Sequence, residues 1–356
     1  MKLIHTADLH LDSSLAKFPS DEAKERRAEL LDTFRRMVET ADEQGVCGIL
    51  IAGDLFDSEK QLRKRTQKAI RELIAQYAGI QFYYLCGNHD AGAELFGEEP
   101  APENFHTFAK KWTTYYLGDV TVTGAKNPMP ETLSPDPNKI NLLLLHGKAT
   151  DTYSSTDPEE IPLRAYANKG LDYLALGHYH SFTEYRVDER CAACYSGTPE
   201  GRGFDECGEK GYVLLEIAPG AGVKYRFVPF AKRKLHDVRL DLSGCTAQAE
   251  LEKRAEEALF GIPFDDYVKL TVTGEIDPEF EPDYFRIDRA LAERFRFGRR
   301  KDETTALIRP EDYRNDHSLK GEFIRQVWED KTLSQEDRDA ILRLGLQALY
   351  GKEIDL

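Results

Sequence analysis

Five short apolar segments in the first half of the chain each run into a glycine or a polar side chain. They are KLIHTA, VCGILIAGD, IQFYYLCGN, INLLLLHG and LDYLALGH, beginning at residues 2, 46, 80, 140 and 171. Apolar runs of about four to eight residues with β-branched members are typical of buried strands. Residues 21–44 and 61–78 carry apolar side chains at helical spacing and lie between the first three strands. Strands that alternate with helices predict an α/β fold.

Each of these predicted strands is followed by side chains that bind metal ions. In open α/β sheets, ligands bind at the carboxyl ends of the strands, so these side chains are expected to converge. Oxygen and nitrogen donors without thiolates favour Mn²⁺, Fe²⁺ or Zn²⁺. The donors are too many for one ion and fit two ions about 3.5–4 Å apart. The candidate ligands are Asp8, His10, Asp54, Asn88, His146, His178 and His180.

A simpler interpretation exists at each position taken alone. A single histidine after a strand is more often a hydrogen-bonded structural residue, and a glycine followed by a polar residue is common turn chemistry. The ordered recurrence of ligand types after five strands is what favours a metal centre. His178 and His180 illustrate this point. On a regular strand they would lie almost 7 Å apart, given a rise of ~3.3 Å per residue. Gly177 ends the strand, so each histidine is expected to serve a different ion.

The ordered set Asp8-x-His10, GDLFD, GNHD, His146-Gly147 and GHYH resembles the calcineurin-like metallophosphoesterase superfamily over residues 1–230. The resemblance implies a four-layer αββα sandwich with a dinuclear metal centre. It assigns one ion to Asp8, His10, Asp54 and His180, and the other to Asp54, Asn88, His146 and His178, with Asp54 bridging. His89 would protonate the leaving oxygen or stabilise charge in the transition state. Asp90 would either orient His89 or cap the following turn.

Within the superfamily the chain resembles SbcD-type DNA repair exonucleases of the YhaO-like branch. IHTADLHLDSSL at the start and YSGTPEGRGFDECGEKGYVLLEI at residues 195–217 carry this resemblance. It implies Mn²⁺-dependent cleavage of DNA phosphodiesters, an SbcC-like SMC-type ATPase as partner, and a homodimer. Asp57 follows GDLF where eukaryotic relatives tend to carry a histidine, which is a bacterial form of the motif.

The pattern of the chain changes after residue 190. CAACYSG, GYVLLEIA and VKYRFVPF predict consecutive, mainly antiparallel strands. Residues 231–356 then predict a smaller α+β domain that would cap the nuclease domain or bind DNA or a partner. Its predicted strands are 236–244 and 266–274, and its predicted helices are 247–260, 317–329 and a last helix opened by Ser334 and Asp337. The apolar stripe of that last helix comprises Leu342, Leu346, Leu349 and Tyr350. It is expected to pack within its own domain, with partner docking as the alternative.

Composition limits the partners and the compartment. A net charge of −15 is unfavourable for nucleic-acid binding, which usually leaves a basic footprint. Basic runs at residues 63–65, 232–234 and 299–301 are either phosphate contacts or solvated surface.

No segment approaches the ~18 consecutive apolar residues of a membrane span. The six scattered cysteines and the absence of a signal-peptide pattern favour the cytoplasm. Cys191 and Cys194 lack further zinc ligands at suitable spacing. His5 is expected to be a hydrogen-bonded core residue.

Three functions compete on these observations. The leading one is a metal-dependent DNA exonuclease subunit that uses a metal-activated hydroxide. The second is a metallophosphatase or phosphodiesterase for a small molecule, with the C-terminal domain as a substrate lid. The third is a weakly active regulatory subunit. All seven candidate ligands and His89 are present, which argues against a decayed enzyme.

Overall fold

The chain forms two compact units in the computed structural model, Met1–Leu235 and His236–Leu356. The structure describes residues 1–58, 62–90, 95–97, 99–126, 128–218, 220, 222–277, 280–307 and 309–349. The division falls shortly after the boundary predicted between residues 230 and 231. That the second unit serves as a cap stays a prediction.

The first unit is built on two six-stranded sheets and two long helices. The helices are α1 (Ser20–Glu43) and α2 (Lys64–Gln76). The strands are β1 (Lys2–Thr6), β2 (Gly48–Ala52), β3 (Gln81–Leu85), β4 (Phe105–Thr107), β5 (Thr113–Leu117), β6 (Val120–Gly124), β7 (Ile140–His146), β8 (Lys148–Thr150), β9 (Glu160–Pro162), β10 (Tyr173–Gly177), β11 (Thr183–Arg186), β12 (Ala192–Tyr195), β13 (Gly211–Ala218) and β14 (Gly222–Pro229). The strand orders are β14-β13-β1-β2-β3-β4 and β11-β12-β10-β7-β6-β5, and β8 pairs with β9 alone.

The two sheets pack face to face through alternating side chains. Leu3 and Leu50 of the first sheet pack with Leu142 and Leu144 of the second in one buried cluster. Successive strand residues point to opposite faces, so residues next in sequence, such as Ile4, pack outward against α1 and α2. On α1, residues such as Phe34 and Met37 are fully buried, as their helical spacing predicts. The predicted α/β sandwich is confirmed.

The outer face of the second sheet differs in detail from the outer face of the first. It buries a cluster that includes Leu143, Leu174 and Tyr166. Among the described residues, this outer face is covered by a 3₁₀ helix at Leu163–Tyr166 and by the segments beside it. The outer face of the first sheet is covered by α1 and α2 instead.

The segments after residue 190 do not form an antiparallel region of their own. β12 lies parallel to β10 in the second sheet, and β11 pairs antiparallel with β12. β13 instead joins the first sheet antiparallel to β1, with β14 beside it. The expected antiparallel pairing is thus confirmed for β13 and β14 and wrong for β12, which joins the other sheet in parallel.

The second unit has an α+β pattern. Its first strand is β15 (Leu235–Asp241), which begins at the last residue of the first unit. The elements that follow are α3 (Gln248–Ala258), β16 (Tyr267–Thr273), β17 (Glu275–Ile276), α4 (Tyr284–Arg294), β18 (Phe297–Asp302), β19 (Thr305–Ala306), α5 (Leu319–Glu329) and α6 (Gln335–Leu349). The order β15-β16-β18 forms a three-stranded sheet, and β17 pairs with β19. Its core includes Leu240, Leu270 and Leu291.

The last helix packs against the helix before it. Leu342 and Leu346 of α6 are buried with Ile324 and Val327 of α5. At the start of α6, the Asp337 N–H donates to Ser334 Oγ at 3.1 Å, as the sequence predicts. Leu349 is exposed, and Tyr350 lies outside the described residues. No helix in the described part of the chain is long and apolar enough to cross a bilayer.

Candidate metal centre

The candidate ligands lie where two groups of parallel strands end. β1, β2 and β3 are mutually parallel neighbours in the first sheet, and β7 and β10 are parallel neighbours in the second. Asp8, Asp54 and Asn88 follow the first three strands, while His146 ends β7 and His178 follows β10. The sheets meet at this edge, since Ala52 O at the end of β2 contacts His146 Nδ1 at 2.9 Å.

The backbone turns sharply at four of these positions. Asp8, His10, Asp54 and His178 have φ angles of 53°, 44°, 48° and 118°. Residues other than glycine rarely adopt positive φ, and such positions concentrate at functional sites at a cost of about 1–3 kcal/mol each. The turn at His178 removes it from strand geometry, which is why His178 and His180 need not obey the spacing of a regular strand.

One cluster of donors comprises Asp8, His10 and His180. Asp8 and His10 are fully buried, and His180 is half-buried. Nε2 of His10 lies 3.3 Å from Nε2 of His180. Burial raises the pKa of Asp8 to about 7, against the opposing charges of His146 and His180. The carboxylate therefore requires a positive charge beside it to remain ionised.

A second cluster surrounds His146. Its Nε2 lies 3.0 Å from Asn88 Oδ1 and 3.4 Å from Asp54 Oδ2. Burial alone would raise the pKa of Asp54, but the hydrogen bond and charge of His146 outweigh it and lower that pKa to about 2. Burial opposes protonation of His146, yet Asp54 raises its pKa to about 9. This cluster also requires positive charge, supplied by a proton or by a cation.

The hydrogen-bond partners of the imidazoles indicate a cation site. His180 Nδ1 is hydrogen-bonded to Glu206 Oε1 at 2.7 Å, and His10 Nδ1 lies 3.2 Å from Asp57 Oδ1 in an ion-pair contact without hydrogen-bond geometry. Protons on both Nδ1 atoms leave two Nε2 lone pairs facing each other. Likewise, a proton on His146 Nδ1 bound to Ala52 O directs its Nε2 lone pair at two oxygen acceptors. Histidines whose second nitrogen is held by a carboxylate or a carbonyl are typical of metal ligands. The residues therefore fit bound cations.

The two clusters share ligands, as a dinuclear site requires. Three sets of three side chains could each hold an ion, because within each set the donor atoms lie within 4.8 Å of one another. The sets are Asp8–His10–His180, Asp8–Asp54–His146 and His10–Asp54–His89. Asp8 as well as Asp54 thus lies between the clusters, whereas the family resemblance implies a bridge by Asp54 alone.

His178 is less closely engaged than expected. Its backbone N–H donates to both oxygens of Asp8 at 3.1 Å, and its ring centroid lies 5.6 Å from that of His146. Its ring nitrogens belong to none of the three donor groups found among the described residues. The division of ligands between two ions stays a prediction, and His178 would have to approach the His146 cluster to complete it.

Residues 1–182 match the calcineurin-like phosphoesterase family, which covers just over half of the chain. The chain belongs to this family. It is 27% identical to the uncharacterized metallophosphoesterase YhaO of Bacillus subtilis, over 77% of this chain and 69% of that protein. It is also similar to two proteins named DNA double-strand break repair protein Mre11. Identity is 29% with that of Sulfurisphaera tokodaii, over 61% of this chain and 60% of that protein. With that of Methanopyrus kandleri it is 28%, over 71% of this chain and 62% of that protein. The chain thus spans less than two thirds of either Mre11 protein.

His89 of this phosphoesterase lies at the exposed side of the centre. Its ring centroid is 4.9 Å from that of His10, and its Nδ1 lies 2.9 Å from the carbonyl oxygen of Asp57. Its backbone N–H donates to Asp54 Oδ1 at 3.0 Å. His89 therefore touches both clusters through its backbone or its ring while its side chain remains exposed.

Asp90 bonds to the backbone of two loops. Its Oδ2 accepts the N–H groups of Leu55 and Phe56, at 2.7 and 3.3 Å, and its Oδ1 accepts that of Gly87 at 2.8 Å. The ring of His89 is held by the Asp57 carbonyl instead. Asp90 thus bonds to backbone N–H groups and not to the His89 ring in the described structure, and its assignment as a catalytic residue stays a prediction. Asp90 ties together the loops after β2 and β3, whereas the following turn, which it was alternatively predicted to cap, lies outside the described residues.

Two residues of this centre were not found from the sequence. Arg202 Nη1 donates to Asp57 Oδ1 at 2.8 Å, and Arg202 Nε and Nη2 donate to Glu206 Oε1 at 3.0 and 2.8 Å. Since Asp57 faces His10 and Glu206 faces His180, this pair bridges the second nitrogens of two candidate ligands. Burial opposes ionisation of Glu206, but His180 and Arg202 lower its pKa. The residues lie in a loop, where no periodicity marks them.

The other polar motifs have structural roles. Arg233 pairs with Glu29, Lys234 with Glu209, Arg300 with Asp288 and Lys301 with Glu303. Carboxylates thus pair with residues of the basic runs at 232–234 and 299–301. Cys191 and Cys194 are free and buried, and burial raises the pKa of both thiols. His5 is fully buried, with Nδ1 2.9 Å from Tyr173 Oη.

Proposed function

We propose that this phosphoesterase is a metal-dependent DNA exonuclease subunit. The observation that supports it most is the pair of donor clusters that share Asp8 and Asp54 at the meeting edge of two sheets. Two-metal sites of this kind hydrolyse phosphate esters by in-line attack. The similarity to proteins named for DNA double-strand break repair supports DNA as the substrate.

The ligands divide into two sets that would hold two divalent ions, with Mn²⁺ the proposed metal. Asp8, His10, Asp54 and His180 would hold one, and Asp54, Asn88, His146 and His178 the other. When bound, such ions supply a hydroxide nucleophile at neutral pH and neutralise phosphoryl oxygens. Glu206 and Ala52 O hydrogen-bond the second nitrogens of His180 and His146, and Asp57 Oδ1 lies 3.2 Å from that of His10, so that the Nε2 atoms face the centre.

His89 is suited to the leaving-group side of the reaction. Its Nδ1 proton is held by the Asp57 carbonyl, so a second proton on Nε2 would be available to the departing oxygen. The ring is exposed beside His10, where a phosphodiester could reach it.

The cellular setting is also proposed. All six cysteines are free, which suits a reducing cytoplasm. The resemblance to SbcD-type nucleases supports an SbcC-like SMC-type ATPase as partner and a homodimer. A partner that contributes DNA affinity would offset the net charge of −15.

The test is degradation of linear DNA by the full chain with Mn²⁺, with a chelator, and with His89→Gln, each with and without an SbcC-like ATPase. General-acid loss should lower the rate about 10²- to 10⁴-fold while bound metal is retained. His106→Gln is the matched control, because His106 bonds to Gln81 on a sheet strand and not to the candidate ligands. If no metal-dependent DNA cleavage occurs in any arm, the proposal fails.

The small-molecule alternative is favoured by one observation, the acidic net charge. It predicts turnover of nucleotides or phosphomonoesters without degradation of linear DNA, and the same protein preparations decide between the two.

A further inference from the structure

Tyr179 is an exposed aromatic residue inside the metal-binding motif. It lies between His178 and His180 and is 42% exposed. Its ring centroid lies 5.3 Å from that of His178, with the planes inclined at 63°. A large apolar ring left open to solvent at this place is available to whatever substrate approaches the centre.

A fully buried tyrosine supports this ring from below. The Tyr179 and Tyr195 ring centroids are 4.8 Å apart, in an edge-to-face arrangement. Tyr195 Oη donates to Gly147 O at 2.6 Å and accepts the Ala149 N–H at 2.7 Å. Tyr195 therefore holds Tyr179 and also the two residues that flank Lys148. The Tyr179 ring and the backbone on either side of Lys148 therefore contact the same buried side chain.

Lys148 supplies a positive charge on the same side. Its Nζ pairs with Glu159 Oε2 at 2.9 Å, and its side chain is 42% exposed. Lys148 begins β8 two residues after His146, which ends β7. It is therefore carried on the backbone that leaves the centre, between the two residues that Tyr195 holds.

We infer that Tyr179 and Lys148 form a nucleotide subsite beside the metal centre. Tyr179 stacks on the base next to the scissile phosphate, and Lys148 pairs with the adjoining phosphate. Aromatic side chains stack on any base, and each such contact changes affinity about 5- to 150-fold. A base inside a duplex is already stacked on both faces, so the subsite takes a terminal or unpaired base. This inference rests on the proposed action on nucleic-acid phosphodiesters and deepens it.

The kinetic test compares thymidine 5′-p-nitrophenyl phosphate with methyl p-nitrophenyl phosphate, which carries no base. Tyr179→Ala should lower the ratio of their kcat/KM values about 5- to 150-fold, mainly through KM, and Tyr179→Trp should preserve it. Tyr116→Ala is the matched control, since Tyr116 is 66% exposed on β5. Equal bound metal in all variants, measured by mass spectrometry, shows that His178 and His180 are undisturbed.

A binding test separates this inference from the proposed function. Fluorescence anisotropy of a labelled ten-residue oligothymidylate is measured in EDTA, where no cleavage occurs. Tyr179→Ala should weaken binding about 5- to 150-fold, and Lys148→Gln should lower the salt slope by about 0.7. Absence of hydrolysis with Tyr179-dependent binding would contradict the nuclease and support the subsite. Hydrolysis with an unchanged substrate ratio, or the absence of both hydrolysis and binding, would overturn the subsite.

Discussion

Arg202 shows how a single residue outside the set of candidate ligands can organise them. Its guanidinium binds Asp57 and Glu206, which hold His10 and His180. A flat fork with several donors can do this at once, whereas a lysine ammonium is a point charge. Arg202 is therefore a positioning residue for one cluster.

We expect Arg202→Lys to weaken cation binding at the Asp8–His10–His180 cluster about 10- to 100-fold. The Asn88–His146 cluster should keep its affinity, so Mn²⁺ titration calorimetry should change from two strong sites to one strong and one weak. Arg164→Lys is the control, since Arg164 forks onto Asp151 at an exposed surface. Equal weakening of both sites would contradict a positioning role confined to one cluster.

His5 links stability to pH at the same scale. Burial lowers its pKa to about 3, although a hydrogen bond to Leu176 O opposes the shift. Between pH 6.5 and 3 the unfolded chain binds a proton that the folded chain excludes, so acidification below pH 6.5 destabilises the fold. The free energy of unfolding of the unmodified protein should fall ~1.4 kcal/mol per pH unit faster than that of His5→Gln. Denaturant unfolding in EDTA at pH 7.5, 5.5 and 4.5 measures this difference, and parallel pH profiles would refute it.

The loops that end the strands are packed too closely for side chains at their glycines. A Cβ at Gly87 would lie 2.0 Å from Asp54 Oδ1, and one at Gly53 would lie 1.9 Å from His146 Nδ1. These glycines do more than end strands, because they let one ligand-bearing loop approach the ligand of another.

Gly87→Ala should therefore displace Asp54 and remove bound Mn²⁺, whereas Gly79→Ala should not. Gly79 lies two residues before β3, the strand that Gly87 follows, and an added Cβ there would have no atom within 4 Å. Bound metal by mass spectrometry and far-UV circular dichroism together give the result. A Gly87→Ala protein with native secondary structure and full metal content would show that the loop adjusts without cost to the site.

Among the secondary-structure elements, helix α1 anchors the segment before β13 through a buried ion pair. Glu200 is buried and pairs with the fully buried Arg26 at 2.7 Å, while Thr33 Oγ1 donates to its other oxygen at 2.8 Å. Both partners lie on α1. Leaving a buried charge unpaired costs several kcal/mol, so this pair holds the segment that carries Arg202 and Glu206 against the helix.

For the whole molecule, all candidate ligands lie in the first unit. Large hydrophobic clusters of described residues lie within each unit by itself. Lys232 and Arg233 contact Glu200 and Glu29 of the first unit, so a boundary after Leu235 preserves these contacts.

We expect a fragment of residues 1–235 to fold and to bind the same number of Mn²⁺ ions as the full chain. Size-exclusion chromatography, circular dichroism and metal content test this, with the full chain as control. DNA degradation is measured on both proteins. A folded fragment that binds fewer ions would show that the second unit contributes to the centre.

The sequence by itself determined the features of this protein that depend on residues close together in the chain. The apolar segments, the α1 and α2 helices and the ligand types after each strand depend on neighbouring residues, and the motifs sufficed to identify the family. Tertiary structure decided what depends on contacts across the chain. His10 and His180 meet from 170 positions apart, and Arg202 reaches Asp57 across 145. Contacts across the chain also decide four other features. They are the position of β12 and β13 in different sheets, the place of Asp8 between the two donor clusters, the looser placement of His178 and the backbone contacts of Asp90. A side chain's partner is set by which loops the packed sheets bring together, and no local pattern encodes that distance.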